Sequence, residues 1–229
     1  KIKTDTTDWG EEDIERNKTG RNVAERLRDQ DRDGIDVEVV FGNKGIHAFG
    51  TNDPGFSMAM CQAWNDWAHE DLGEYQDRIL PMAQIPTLDV DAAVKEVQRV
   101  AKLGFKGLTI PVKPEYGPTG MDQRNYNQPE FEPLWSAIED VDLPLTIHVS
   151  TGRDPRAASG PGGAVINYAV HCCSASQEPV ANLCASGVLE RHPKLRVATI
   201  EAGIGWVSWL LEVMDEGFYK HRMWVSPDL

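Results

Sequence analysis

Short apolar, β-branched runs alternate along this chain with longer stretches in which apolar residues recur every three or four positions. Five runs have the length and composition of strands, at residues 35–41, 78–85, 106–110, 143–148 and 195–201. Between them the spacing predicts helices. The first, at 23–28, gives way to a polar turn at 29–34. A second starts at Asp53-Pro54, presents Phe56, Met60, Ala63, Trp64 and Trp67 on one face and stops at Gly73. A third is capped by Asp89, carries Val90, Ala93, Val94, Val97, Val100 and Ala101, and stops at Gly104. A long polar loop runs to Asn127 before a helix at 131–140. A glycine-rich loop (Gly160, Gly162, Gly163) precedes a helical stretch at 166–186, and a last helix runs from Trp206 to about Glu216.

Strands that alternate with helices predict a parallel sheet with right-handed crossovers. The spacing of about 35 to 55 residues per unit, with long loops after several strands, favours part of a (β/α)8 TIM-like barrel over a doubly wound sheet. Neither a GxGxxG nor a P-loop follows any strand, which removes the usual nucleotide-binding readings. Residues 1–19 are charged and without period, so they read as an excursion or lid, with the partial barrel at 20–229.

Two strands end in groups that can hold a metal. Residues 143–148 end on His148 and break into Ser150-Thr151-Gly152, and residues 195–201 end on Glu201 before Ala202-Gly203. In open α/β sheets and barrels the carboxyl ends of strands are where ligands sit. A neutral imidazole suits Zn²⁺, Fe²⁺ or Mn²⁺; the plainer reading of His148 is a core histidine bonded to a backbone carbonyl. Glu201 reads as a ligand, a general base, a partner that orients a metal-bound histidine, or half of an ion pair that closes the barrel. His171, in the helix after the glycine-rich loop, could serve as acid, base or substrate contact. Arg153 and Lys113 follow strand ends and could clamp a substrate carboxylate or carbonyl, and Trp206 could wall a pocket or pack in the core. His69 and His192 read as surface or loop histidines, and His47 as a loop residue.

Composition narrows the partners. A net charge of −13 and a pI near 4.9 repel phosphate backbones and anionic lipid, so neither nucleic acid nor a membrane is expected. No apolar run approaches the ~20 residues that a membrane helix needs. The four cysteines have neither zinc spacing nor the density of a disulfide framework; adjacent Cys172-Cys173 suits reduced core thiols, and a cytoplasmic protein is expected.

Taken in order, several segments resemble one family. They are Arg26-Leu27, Gly34-Ile35-Asp36, Asn65-Asp66-Trp67, Asp77-Arg78, Leu103-Gly104-Phe105-Lys106-Gly107, the run into His148, Arg191-His192-Pro193-Lys194-Leu195 and Glu201-Ala202-Gly203-Ile204-Gly205-Trp206. Together they are similar to the amidohydrolase-2 branch of the amidohydrolase superfamily. The resemblance implies a distorted (β/α)8 barrel with a divalent metal at its carboxyl end, Zn or else Fe or Mn. Family ligands come from a His-x-His or His-x-Glu motif on strand one, histidines on strands five and six, and an aspartate on strand eight. His148 falls at the strand-five position and Glu201 at the strand-six position. A strand-one motif does not precede Arg21 and the sequence stops at Leu229, so an incomplete barrel is expected. The parent chemistry is hydrolysis of a small amide, ester or lactone by a metal-activated water. Alternatives are non-oxidative decarboxylation of an aromatic or unsaturated acid, a diiron oxygenase, and a catalytically dead barrel that only binds. A small-molecule substrate and a homodimer complete the expectation.

Overall fold

The computed structural model describes residues 22–42, 45–115, 124–149, 151 and 158–223, so the lid expected at 1–19 lies outside the described residues. Helix α1 (Val23–Asp33) opens on Asn22, whose side chain accepts from the Glu25 N–H at 2.9 Å, and ends at Gly34 with φ 71°. It runs straight through the expected polar turn, where Asp29 and Arg32 form an exposed ion pair one turn apart, at 3.0 Å. Strand β1 (Glu38–Val40) pairs in parallel with β2 (Ile79–Pro81). A second parallel sheet runs β3 (Ala83–Gln84), β4 (Leu108–Ile110), β5 (Leu145–His148) and β6 (Val197–Ile200), in that order. Chain order and spatial order coincide, with no reversal. That is the wall of a barrel and not a doubly wound sheet.

The expected strand 78–85 is two strands, split at Met82. Its N–H still bonds to the Val40 carbonyl at 2.9 Å, whereas that of Ala83 bonds to Gly107 O at 3.0 Å. Beyond the split, a side chain takes the place of β1. Asn65, on helix α2 (Pro54–Leu72), accepts from the Gln84 N–H at 2.7 Å and donates to Gln84 O at 3.0 Å and to Glu96 Oε1 at 2.8 Å. This stitch rotates the helix by one residue from the expected face. Ser57, Cys61, Asn65, Ala68 and Leu72 are buried, while Phe56 and Trp67 are exposed. An apolar pattern misses such a face, since two of its five residues are polar and buried through their hydrogen bonds.

Helices α3 (Val90–Lys102) and α4 (Glu132–Asp140) cover the outward side of β3 to β5. Leu108, Ile110, Leu145 and Ile147 alternate towards Val97, Val100, Leu134, Trp135 and Ile138. The intervening Thr109 and Thr146 face inward, their hydroxyls 2.7 Å apart. The expected helical stretch 166–186 comprises α5 (Gly163–Ile166), a π-helical turn at Asn167–Cys172 and α6 (Cys173–Ala185). Then come α7 (Val188–Arg191) and α8 (Val207–His221), the latter reaching past its expected end. His192, expected at the surface or in a loop, is in a loop and buried, with Nε2 at 3.0 Å from Glu132 and Nδ1 at 3.3 Å from Glu139. Arg191 lowers the pKa of Glu132, and the Lys194 N–H that of Glu139, so both carboxylates are held charged around the ring. This cluster ties the entry of β6 to α4.

Candidate active site

Inward and outward residues alternate along each strand, so the face that carries Thr146 also carries His148, one step nearer the carboxyl end. The imidazole sits over Phe41, just past β1, with ring centroids 5.1 Å apart and planes tilted by 58°. Its Nδ1 lies 2.7 Å from the Val149 carbonyl. A carbonyl only accepts, so Nδ1 carries a proton, and in the neutral imidazole the Nε2 lone pair is left for another partner.

Nε2 points towards Glu201, whose Oε2 is 3.9 Å away. Glu201 follows β6 directly, on the strand next to β5, as the sequence predicts for two ligands at one mouth. Its backbone is the surprise. Glu201 has φ 59°, a left-handed conformation that costs a non-glycine residue on the order of 1–3 kcal/mol. Its side chain stays 67% exposed, so burial does not hold it there.

One nitrogen and one oxygen donor on neighbouring strands are the mixture that divalent metals of the zinc and manganese class accept. The pair fits as part of a ligand set. No group of three or more His, Cys, Asp and Glu side chains that could hold a metal converges among the described residues.

The other candidates are placed as follows. Lys113, past β4, is mostly buried and forms an ion pair of 2.8 Å with Glu178 on α6. Trp206 donates from its indole N–H to Ala202 O at 2.8 Å, and with Val180, Leu183, Leu189, Val197 and Thr199 it lines a cavity of about 380 Å³. Val197 and Thr199 alternate away from Ala198 and Ile200, so this cavity backs onto β6 from the helix side. Arg153 lies outside the described residues, and of His171 only the backbone, in the π-helical turn, is described. Sequence reasoning missed Phe41. A strand that ends in Phe-Gly gave the same signal as one that ends in His or Glu, but an aromatic ring invited a packing role. Gly42 gives close approach there: a Cβ would meet the Gln84 amide at 2.6 Å and the Trp64 ring at 3.0 Å, so a larger residue must push these side chains aside.

A family model described as amidohydrolase matches residues 17–226. The chain belongs to the amidohydrolase family. Among curated relatives it is 28% identical over 200 residues to a gamma-resorcylate decarboxylase from Rhizobium sp., covering 82% of this chain and 58% of that protein. The chain therefore spans a little over half the length of that relative. Among solved structures, an amidohydrolase from Mycobacterium avium subsp. paratuberculosis superposes with a TM-score of 0.73 at 22% identity, over 90% of this chain and 54% of that one. A 5-carboxyvanillate decarboxylase from Novosphingobium aromaticivorans with bound manganese gives 0.61 at 22% identity, over 88% and 56%. At these identities the superpositions establish the fold, which is the expected amidohydrolase barrel.

Proposed function

We propose that the protein is a metal-dependent decarboxylase that releases CO₂ from a hydroxylated aromatic acid without an oxidant. The observation that carries the reading is the His148–Glu201 pair at adjacent strand ends, in a chain whose curated relative is a gamma-resorcylate decarboxylase. The relatives favour this chemistry over the amide, ester or lactone hydrolysis expected from the sequence.

A divalent metal, manganese or zinc, would supply a positive centre that grips the substrate carboxylate and a neighbouring hydroxyl. The chain's own residues do the rest. His148 offers Nε2 to the metal while its Nδ1–H stays fixed to Val149 O. Phe41, beside that imidazole, presents a flat apolar surface for an aromatic ring. As the carboxyl–ring bond breaks, its electron pair stays on the ring carbon, which must then take a proton. Glu201, whose Oε2 approaches His148 to 3.9 Å, would either deliver that proton or complete the metal's ligands. In the same reading Arg153 balances substrate charge and His171 is a second proton carrier. Lys113 is already paired with Glu178, and Trp206 lines the cavity on the helix side of β6, so neither takes the substrate role expected of it.

The test is metal content together with product. Incubated with γ-resorcylate, the protein should release CO₂ and resorcinol, and removal of the metal with a chelator should abolish this. His148→Ala should lose metal and turnover together while staying folded, since barrel stability comes from its apolar layers. Glu201→Gln should keep its metal and lose turnover if Glu201 carries the proton, and should lose metal if it is a ligand. Hydrolysis of esters or lactones without CO₂ release would restore the hydrolase reading and sink this one.

A further inference from the structure

The ladder between β4 and β5 is interrupted where it matters for His148. At its foot the Leu108 N–H donates to Pro144 O at 2.9 Å. Parallel pairing repeats every two residues, so four residues further on the Val112 N–H should meet His148 O. It does not. The Val112 N–H donates to the hydroxyl of Thr151 at 2.9 Å, and that hydroxyl donates to His148 O at 2.7 Å. Two hydrogen bonds in series stand where the ladder would have one. Thr151 is buried, and its own N–H reaches the same carbonyl at 3.4 Å, which closes a turn over residues 148–151. Within that turn lies Val149, whose carbonyl fixes the imidazole of His148.

We propose that Thr151 is a positioning residue of the metal site. Its hydroxyl, spliced into the ladder, holds the ends of β4 and β5 apart and sets the turn whose Val149 carbonyl keeps His148 in the Nδ1–H form with Nε2 free. The inference rests on the reading of His148 as a metal ligand. It assigns no contact between Thr151 and metal or substrate.

Three variants test it, with two readouts. Thr151→Ser keeps the hydroxyl and should keep manganese affinity within about threefold. Thr151→Val removes it and leaves the Val112 N–H buried without a partner and His148 O with only the long backbone N–H contact of residue 151, which costs stability as well. Thr151→Ala leaves room for those two groups to bond directly, so it should stay folded even if the valine variant does not. Both hydroxyl-less variants should bind Mn²⁺ about 10–100-fold more weakly, the usual loss when a ligand's supporting hydrogen bond is removed. The second readout needs no metal. Imidazole ¹⁵N shifts of His148 in the metal-free protein should report the Nδ1–H tautomer in wild type and Thr151→Ser, and a mixture of tautomers in Thr151→Ala. Lower melting temperatures with tautomer and affinity unchanged would make Thr151 merely structural and overturn the proposal. Absence of Mn²⁺ and Zn²⁺ binding in wild type would instead sink the metal reading, and the imidazole shifts would still decide the role of Thr151.

Discussion

Strands β4 and β1 are built from the same kind of residue and live in different surroundings. In β4, Leu108 and Ile110 are fully buried under α3 and α4, and inward-facing Thr109 is bonded to Thr146. In β1, Val39 is 50% exposed, and its neighbours Ile35 and Val37 are also open, although the apolar run predicted a buried strand. The same contrast separates α4, where Leu134, Trp135 and Ile138 are buried, from α8, where Leu210 is buried but Trp209, Leu211 and Phe218 are exposed. One part of the molecule is a packed wall from β3 to β5; the flanks are apolar but thinly covered. The candidate site lies on the seam. His148 comes from the packed wall, whereas Glu201 comes from β6, whose inward face is open.

The largest effect should come from emptying the wall. Trp135 is fully buried among Tyr126, Phe131 and the outward side chains of β4 and β5. Trp135→Ala should destabilise by about 3–5 kcal/mol, through lost burial and the cavity left behind. Trp209→Ala, on the thinly covered helix, should stay within about 0.5 kcal/mol. Urea unfolding of both variants measures the contrast, and equal losses would break it.

A second, smaller effect tests the stitch that joins α2 to the wall. The Glu96 side chain is 1% exposed; burial pushes its carboxyl up, but hydrogen bonds from Arg99, Asn65 and Gln62 outweigh this and leave it below its usual value. A carboxyl depressed in the folded state stabilises above its unfolded value near 4.5, and that contribution fades as pH falls through the folded value. Glu96→Gln should therefore cost about 2 kcal/mol at pH 7. The gap to wild type should shrink steadily below pH 4.5. A gap that does not change with pH would mean that the carboxylate charge contributes nothing to the stitch.

Much of this architecture was legible in the chain. Asp53 and Asp89 cap helices as predicted, each accepting from the N–H three residues on, and the strands that end at His148 and Glu201 do bring those side chains together. Periodicity reads apolar burial well because transfer from water scales with area. It could not read three other features. Asn65 is buried for its hydrogen bonds, so the face of α2 was assigned one residue off. His192 is buried because two carboxylates and a loop enclose it. The hydroxyl of Thr151 matters only through the register of two strands that are 37 residues apart in sequence at Thr109 and Thr146. The left-handed backbone of Glu201 was hidden for a related reason: glutamate carries no local preference for it, so the sequence gives no sign of it.

The finest test of the seam is Glu201→Gly. At φ 59° glycine removes the side-chain strain, worth on the order of 1–3 kcal/mol, and gives back part of it through the greater freedom of the unfolded chain. The substitution also removes a 3.9 Å approach to His148 by a side chain that is 67% exposed, which contributes little at the surface. The balance favours the variant: without metal it should be about 1 kcal/mol more stable than wild type. With saturating Mn²⁺ the order should reverse if Glu201 is a ligand, because wild type gains the free energy of metal binding and the variant gains less. Thermal melts with and without Mn²⁺ read both signs. If the metal-free variant is less stable than wild type, the left-handed backbone is not strained and Glu201 is not held for the site. If it is more stable but gains equally from Mn²⁺, the strain is real and the carboxylate is the proton carrier, not a ligand.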